Sequence, residues 1–316
     1  MITVVPKCVY ICSAGHSGST LLDLVLGSHS RIESLGEISF LPQNMAINLK
    51  CSCGKPVREC EVWKAIVARL SERSGTDLMQ NPYALHMGNH LRAFVTIDRA
   101  FQTPLFLMRR RLILGLNYLR YRFGWDFLAP LVRSTDHGIA NNFAVYDAAR
   151  AVMQVDTVVD SSKSYLKAVG LYRHDPQAVR VILLTRDGRG VLYSNMKRHR
   201  ERAKSVTEWV HQYERALSLF GRHIDPAHLL QVKYEDLAAD PPRELERICR
   251  FIGLPFEPGM LDFSSVPHHS TDGNDIRFLR TSEIRLDTKW QQGLSPEDLR
   301  YFERRAGALN RRLGYS

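Results

Sequence analysis

A strand–turn–helix unit at the start of the chain constrains the fold more than any other feature. The apolar run Cys8–Cys12 leads into Ser13-Ala14-Gly15-His16-Ser17-Gly18-Ser19-Thr20, and the next residues, LLDLVLG, carry apolar side chains at helical spacing. Pro6 confines the strand to about Cys8–Cys12, and Gly27 is the expected helix stop. A glycine- and serine-rich turn of this kind lets backbone N–H groups approach an anion closely, and the helix behind it adds a positive N-terminal end. The pattern recurs: Thr157–Asp160 reads as a strand followed by SSKS and a helix, and Arg180–Thr185 as a strand followed by RDGRG and a helix. Leu229–Tyr234 reads as another strand. Strands alternating with helices predict a parallel sheet, and near-continuous apolar runs predict strands buried on both faces. In such sheets ligands bind beyond the carboxyl ends of the strands, so the turns SAGHSGST, DSSKS and TRDGRG are expected to face one site.

The segment from about 60 to 150 reads as mostly helical and is expected to be an insertion. With no repeat, low-complexity tract or linker, the 316 residues are read as one domain. Lys and Arg outnumber Asp and Glu, 43 to 33, giving a formal charge of +10. That excess suits an anionic ligand, nucleic acid or an acidic membrane alike. The basic residues are dispersed and no recognition motif is present, so no nucleic-acid partner is assigned. The N-terminus lacks a basic segment followed by a long apolar stretch, and no window holds the roughly 20 apolar residues of a membrane span. A soluble, cytoplasmic protein is the expectation. Met108–Trp125 is basic and aromatic; it is read as a helix with one packed apolar face and solvated arginines, with an acceptor-site lid or a peripheral membrane contact as alternatives.

Three of the six cysteines, Cys51, Cys53 and Cys60, cluster in CSCGKPVREC. The spacing lacks CxxC pairs and a fourth ligand nearby, so free thiols in a structural turn are the first reading, ahead of a disulfide or a zinc site. His268 and His269 are read as part of a solvated loop, and no metal ligand is assigned.

Gly15–Thr20 is a phosphate cradle without the Walker A lysine, because Ser19 stands in its place. Here the chain resembles the sulfotransferases that use 3′-phosphoadenosine-5′-phosphosulfate (PAPS), the bacterial branch in particular. In that family a loop of the form G-x-[basic]-S-G-[ST]-T holds the phosphosulfate end of PAPS. The resemblance assigns this task to Gly15, His16, Ser17, Gly18, Ser19 and Thr20, with a histidine where arginine or lysine is commoner. His16 is then a phosphate donor, an acid for the leaving group, or both. A strand followed by an arginine, with a serine eight positions on, is the family's 3′-phosphate pattern, and Arg186 and Ser194 stand at that spacing. Arg189 and Arg198 are read as solvated or part of a general basic field.

Three further segments extend the resemblance. In VVDSSKS it implies that Lys163 neutralises charge on the bridging oxygen, the alternative being a surface lysine in the first turn of a helix; Asp160 is equally readable as a helix cap. In ESLGEISF it implies that Glu37 takes the acceptor's proton, with His16 as the rival base. In HHSTDGNDIRF it implies nucleotide contacts from Gly273, Asn274 and Arg277, the last reaching the 3′-phosphate. TKWQQGLSP, with Trp290, and VKYEDLAADPPRELERICRFIGLPF are also family-like. The match is weakest over about 60–150, where acceptor recognition would lie.

The implied fold is a P-loop-NTPase-like three-layer α/β sandwich with a central parallel sheet and a helical insertion. The implied reaction is in-line sulfuryl transfer from PAPS, leaving 3′,5′-ADP (PAP), to a small-molecule, glycan or natural-product acceptor. The rival readings are a Mg-dependent kinase or NTPase using the same loop with Asp160 as its strand-end acid, and a non-catalytic anion-binding protein.

Overall fold

The computed structural model describes residues 5–87, 104–279 and 281–316. Strand β1 (Cys8–Ser13) is followed by α1 (Ser19–Leu26), β2 (Ile32–Gly36), α2 (Leu41–Ala46) and α3 (Glu61–Ser74). Helices α4 (Pro104–Phe123) and α5 (Arg133–Met153) precede β3 (Thr157–Lys163), α6 (Tyr165–His174), β4 (Val179–Thr185), α7 (Gly188–Met196), α8 (Arg202–His223) and β5 (Leu229–Lys233). Then come α9 (Tyr234–Ala239), α10 (Pro241–Ile252), the single turn α11 (Trp290–Gly293) and α12 (Pro296–Arg312).

The strands form one five-stranded, all-parallel sheet in the order β2-β3-β1-β4-β5. Side chains alternate across it as a strand requires. Cys8, Tyr10 and Cys12 of β1 enter a core with residues of α3, α5, α6, α8 and α12. Val9 and Ile11 enter a second core with α1 and α10. Helices therefore cover both faces, and this is the expected P-loop-NTPase-like sandwich. Its first, third and fourth sequence-read strands fall within about two residues of their expected positions.

Two departures shape the site. Strand β3 runs on through Ser161, Ser162 and Lys163, so Lys163 ends a strand instead of opening a helix. Helix α6 begins after Ser164, whose hydroxyl accepts from the Lys167 N–H (3.3 Å). Asp160 is therefore no helix cap: it lies fully buried inside β3. The second departure is β2, an edge strand that the sequence reading passed over. It has five residues, two of them Glu33 and Ser34, and hydrogen-bonds to β3. Its last residue, Gly36, has φ 73°, and a Cβ there would stand 2.8 Å from the Asp272 carbonyl oxygen. Only glycine lets the chain turn out of β2 beneath the 270–274 strap and present Glu37.

The helical insertion is present in α3, α4 and α5; residues 88–103, within the expected range, lie outside the described ones. Helix α4 differs from the reading of Met108–Trp125. Asn117 and Tyr121 are buried, but Leu105, Met108 and Leu112 are exposed, as are Phe123, Trp125, Phe127 and Leu131 at and beyond its end. Among the described residues no helix is long and apolar enough to cross a membrane.

Candidate active site

Two cavities lie at the carboxyl ends of β1, β3 and β4. The first, about 840 Å³, is walled by the β1–α1 loop (Gly15, His16, Gly18, Ser19, Thr20), by Arg186 and Ser194, and by Gly273 and Asn274. Six Lys and Arg residues line it (Lys163, Arg186, Lys197, Arg198, Arg285, Lys289) against three acids (Glu37, Glu283, Asp287). The second, about 760 Å³, lies between the sheet, α4 and α8, with Phe40, Ile113, Leu114, Tyr118, Trp209 and Gln212 among its walls. Gly15, Glu37 and Lys163 line both.

The loop between β1 and α1 is held from behind. Tyr213 of α8 places its hydroxyl 3.2 Å from Ser17 Oγ, accepts from the Ala14 N–H (3.2 Å) and donates to the Leu184 carbonyl (2.9 Å). Ser17 is fully buried, so its hydroxyl braces the loop and does not face the cavity, contrary to its expected phosphate contact. Gly18 has φ 87°, and a Cβ there would meet the Tyr234 ring at 2.7 Å. Thr20 Oγ1 accepts from the Asn274 N–H (3.1 Å), tying the strap to the first turn of α1. His16 and Lys163 are non-glycine residues with left-handed backbones, φ 61° and 69°. Such conformations persist where surrounding structure enforces them, and they concentrate at functional sites.

Arg186 leaves the end of β4 with its guanidinium over the Tyr234 ring, 4.7 Å from the centroid. Nη1 donates to the His16 carbonyl (2.9 Å) and Nη2 pairs with Asp287 Oδ2 (2.9 Å). Ser194, one helix further on, donates to the Gly190 carbonyl (2.9 Å) and faces the same cavity. The predicted pair is thus brought together, with Tyr234 and Asp287 as further partners of Arg186.

On the other side, Lys163 Nζ donates to Glu37 Oε1 at the mouth shared by the cavities. The platform beneath them is a buried polar network. Asp160 accepts from the Tyr146 hydroxyl (2.6 Å), from the Ser162 N–H (2.9 Å) and from Lys167 Nζ (2.8 Å). Lys167 also donates to Ser39 Oγ (2.9 Å), and the Ser39 N–H donates to Ser162 Oγ (3.1 Å). The end of β3 is thereby fastened to the turn that follows Glu37. Burial pulls the Lys167 ammonium below its usual range, and Asp160 opposes that shift. Asp160 lines neither cavity. Its carboxylate is spent on structure, unlike the metal-holding strand-end acid of the kinase reading.

Burial, followed by the positive charges of Arg198, Arg200, Lys163 and Arg186, lowers the pKa of His16 to about 4. The lowered pKa favours the neutral imidazole, which offers one N–H, at neutral pH.

Other expected residues stand elsewhere. Arg277 is not among the cavity-lining residues. Its Nη1 donates to the Ser270 carbonyl (3.2 Å) and its guanidinium lies over Phe278, so it braces the strap instead of reaching for a phosphate. Arg198 lines the basic cavity, whereas Arg189 stacks on Trp290 and pairs with Asp187. No disulfide joins any of the six cysteines. His268 is buried and hydrogen-bonded to the Phe263 carbonyl (2.8 Å), and His269 lies 3.2 Å from Cys60 Sγ, so neither belongs to a solvated loop.

The same fold is found in solved sulfotransferase domains. The structure matches the sulfotransferase domain from the Synechococcus PCC 7002 olefin synthase at 20% identity and TM-score 0.53, over 95% of this chain and 94% of that one. It matches the sulfotransferase domain from the curacin biosynthetic pathway at 18% identity and TM-score 0.52, over 98% of both chains. These likenesses show the fold. No curated protein sequence matches the chain. Residues 6–258 match the model of the sulfotransferase family, and the chain belongs to that family.

Proposed function

We propose that the protein moves a sulfuryl group from PAPS to a hydroxyl or amine of a small-molecule, glycan or natural-product acceptor. The observation that carries this reading is the meeting of two cavities at Gly15, Glu37 and Lys163. A two-substrate transfer needs that arrangement, with donor and acceptor on opposite sides of one reacting centre. The basic cavity fits the donor: it has twice as many cations as acids, a glycine-containing loop before a helix N-terminus, and an arginine–serine pair at its far side.

Bound PAPS supplies a sulfuryl group on an activated phosphosulfate anhydride. The loop N–H groups with Ser19 and Thr20 hold its 5′ end, Arg186 and Ser194 its 3′-phosphate, and Gly273 and Asn274 its nucleoside. Arg186 exchanges Asp287 for the phosphate. Glu37 takes the proton of the acceptor group presented from the second cavity, and Lys163 sets positive charge beside the oxygen that departs. His16, being neutral, donates a hydrogen bond only.

Turnover of PAPS with a panel of phenols, sugars and hydroxy lipids, followed as PAP release, tests this reading. Glu37→Gln is expected to lower turnover by about 10²–10⁴-fold, the span of a general base, with PAP affinity unchanged within about twofold. Turnover within about tenfold of wild type would move the base elsewhere.

A further inference from the structure

Away from both cavities, Cys51, Cys53, Cys60 and His269 bring their ligand atoms within 4.8 Å of one another. We propose that these four residues form a closed, tetrahedral zinc site whose task is to clamp the 268–274 strap to the body of the protein.

The chemistry of the donor set points to zinc. Three sulfurs and one imidazole nitrogen are a structural zinc complement, and thiolates select zinc over magnesium or calcium. Metal–sulfur bonds of about 2.3 Å and a metal–nitrogen bond of about 2.0 Å place tetrahedral ligands roughly 3.5–3.8 Å apart. Cys60 Sγ and His269 Nδ1 stand 3.2 Å apart, so small side-chain adjustments complete the tetrahedron. On binding, the three thiols each release a proton and His269 coordinates as neutral imidazole. Four protein ligands leave no open position for substrate, which makes the role structural.

The surrounding backbone holds the ligands in place. The Cys51 N–H donates to the Lys55 carbonyl (2.8 Å) and the Gly54 N–H to the Cys51 carbonyl (2.9 Å), forming a tight turn that presents Cys51 and Cys53. Cys60 precedes the first residue of α3. From the far segment, the His269 carbonyl accepts from the Trp63 indole (2.6 Å), and the Ser52 N–H donates to the Ser270 carbonyl (3.1 Å). The fourth ligand comes from 209 residues beyond Cys60, which is why local spacing did not reveal it. The clamp matters because the strap continues into Gly273 and Asn274 at the basic cavity.

The metal content of full-length protein, purified without chelator and equilibrated with Zn²⁺, tests the site independently of any transferase activity. Wild type is expected to carry one zinc per chain. Co²⁺ should give the thiolate-to-cobalt charge-transfer band and intense visible absorption of a tetrahedral ion. Cys53→Ser, at a partly exposed position, is expected to lose at least about tenfold in zinc affinity. His269→Cys, which restores four ligands, should retain one zinc and the tetrahedral cobalt spectrum, separating ligand loss from misfolding. Wild type that binds no zinc, holds iron instead, or contains a disulfide among the three cysteines would overturn the proposal. So would a Cys53→Ser variant with wild-type zinc affinity.

Discussion

Asp23 lies in α1 directly behind the phosphate-type loop, completely buried, with Oδ2 accepting from the Ser34 hydroxyl of β2. Its other oxygen has no hydrogen-bond partner among the described residues. Burial pushes its pKa up to about 7; the Ser34 hydrogen bond opposes that shift, and the charges of Asp160 and Glu37 add to it. A raised pKa means that the folded state holds the proton more tightly than the unfolded chain does. The resulting stabilisation is complete below the ordinary carboxylate pKa of about 4 and is lost as pH rises through about 7. Asp23→Asn, which keeps the shape of the protonated side chain, removes this dependence. Its melting temperature relative to wild type is therefore expected to rise between about pH 5 and pH 8. Parallel melting curves for the two proteins across that range would show that Asp23 does not titrate as described. The same desolvation acts in the opposite direction on His16, a base, and leaves it neutral. The lowered pKa favours a neutral imidazole at this position of the loop, beside the cavity cations Lys163, Arg186, Lys197, Arg198, Arg285 and Lys289.

At the scale of elements, β3 and the turn after β2 form one unit. Lys167 reaches from α6 to Asp160 and Ser39, so a helix, a strand and the turn bearing Glu37 share one buried cation. Removing one member of a buried pair leaves the other charge uncompensated, which typically costs about 3–5 kcal/mol. Lys167→Met is expected to destabilise by that amount in denaturant unfolding, whereas Lys167→Met combined with Asp160→Asn should recover a large part of it. A single variant within about 1 kcal/mol of wild type would show that the pair does not hold the platform. This unit was only partly legible in the sequence. TVVD announced a strand through its β-branched run, but the polar Ser161-Ser162-Lys163 gave no period by which to extend it. Strand β2 was hidden for a related reason: it is short, carries Glu33 and Ser34, and is specified by its pairing with β3 instead of by its own pattern. The loop Gly15–Thr20 was legible because local chemistry dictates it, and the Arg186–Ser194 pair because its spacing after a strand resembles the family's pattern. The placement of Ser17 against Tyr213 and of Arg277 against the Ser270 carbonyl was not, because those partners are distant in sequence or set by the strap's conformation.

For the whole molecule, the all-parallel sheet places three strand ends together, and each delivers one part of the site: Gly15 after β1, Lys163 at the end of β3, and Arg186 after β4. Edge strand β2 supplies Glu37 from the side, and the C-terminal strap closes over Thr20. Helix α4 forms a wall of the second cavity through Ile113, Leu114 and Tyr118 while exposing Leu105, Met108 and Leu112 on its outer surface. On the proposed reading, Arg186 and Ser194 recognise the 3′-phosphate of PAPS in the basic cavity. Calorimetry of the purified protein with PAP, with AMP as the ligand lacking only the 3′-phosphate, and with ATP–Mg²⁺ tests it most directly. PAP is predicted to bind at least about tenfold more tightly than AMP, from charged hydrogen bonds worth about 1.5–3 kcal/mol, and without magnesium. Equal binding of PAP and AMP, or a preference for ATP–Mg²⁺, would contradict it.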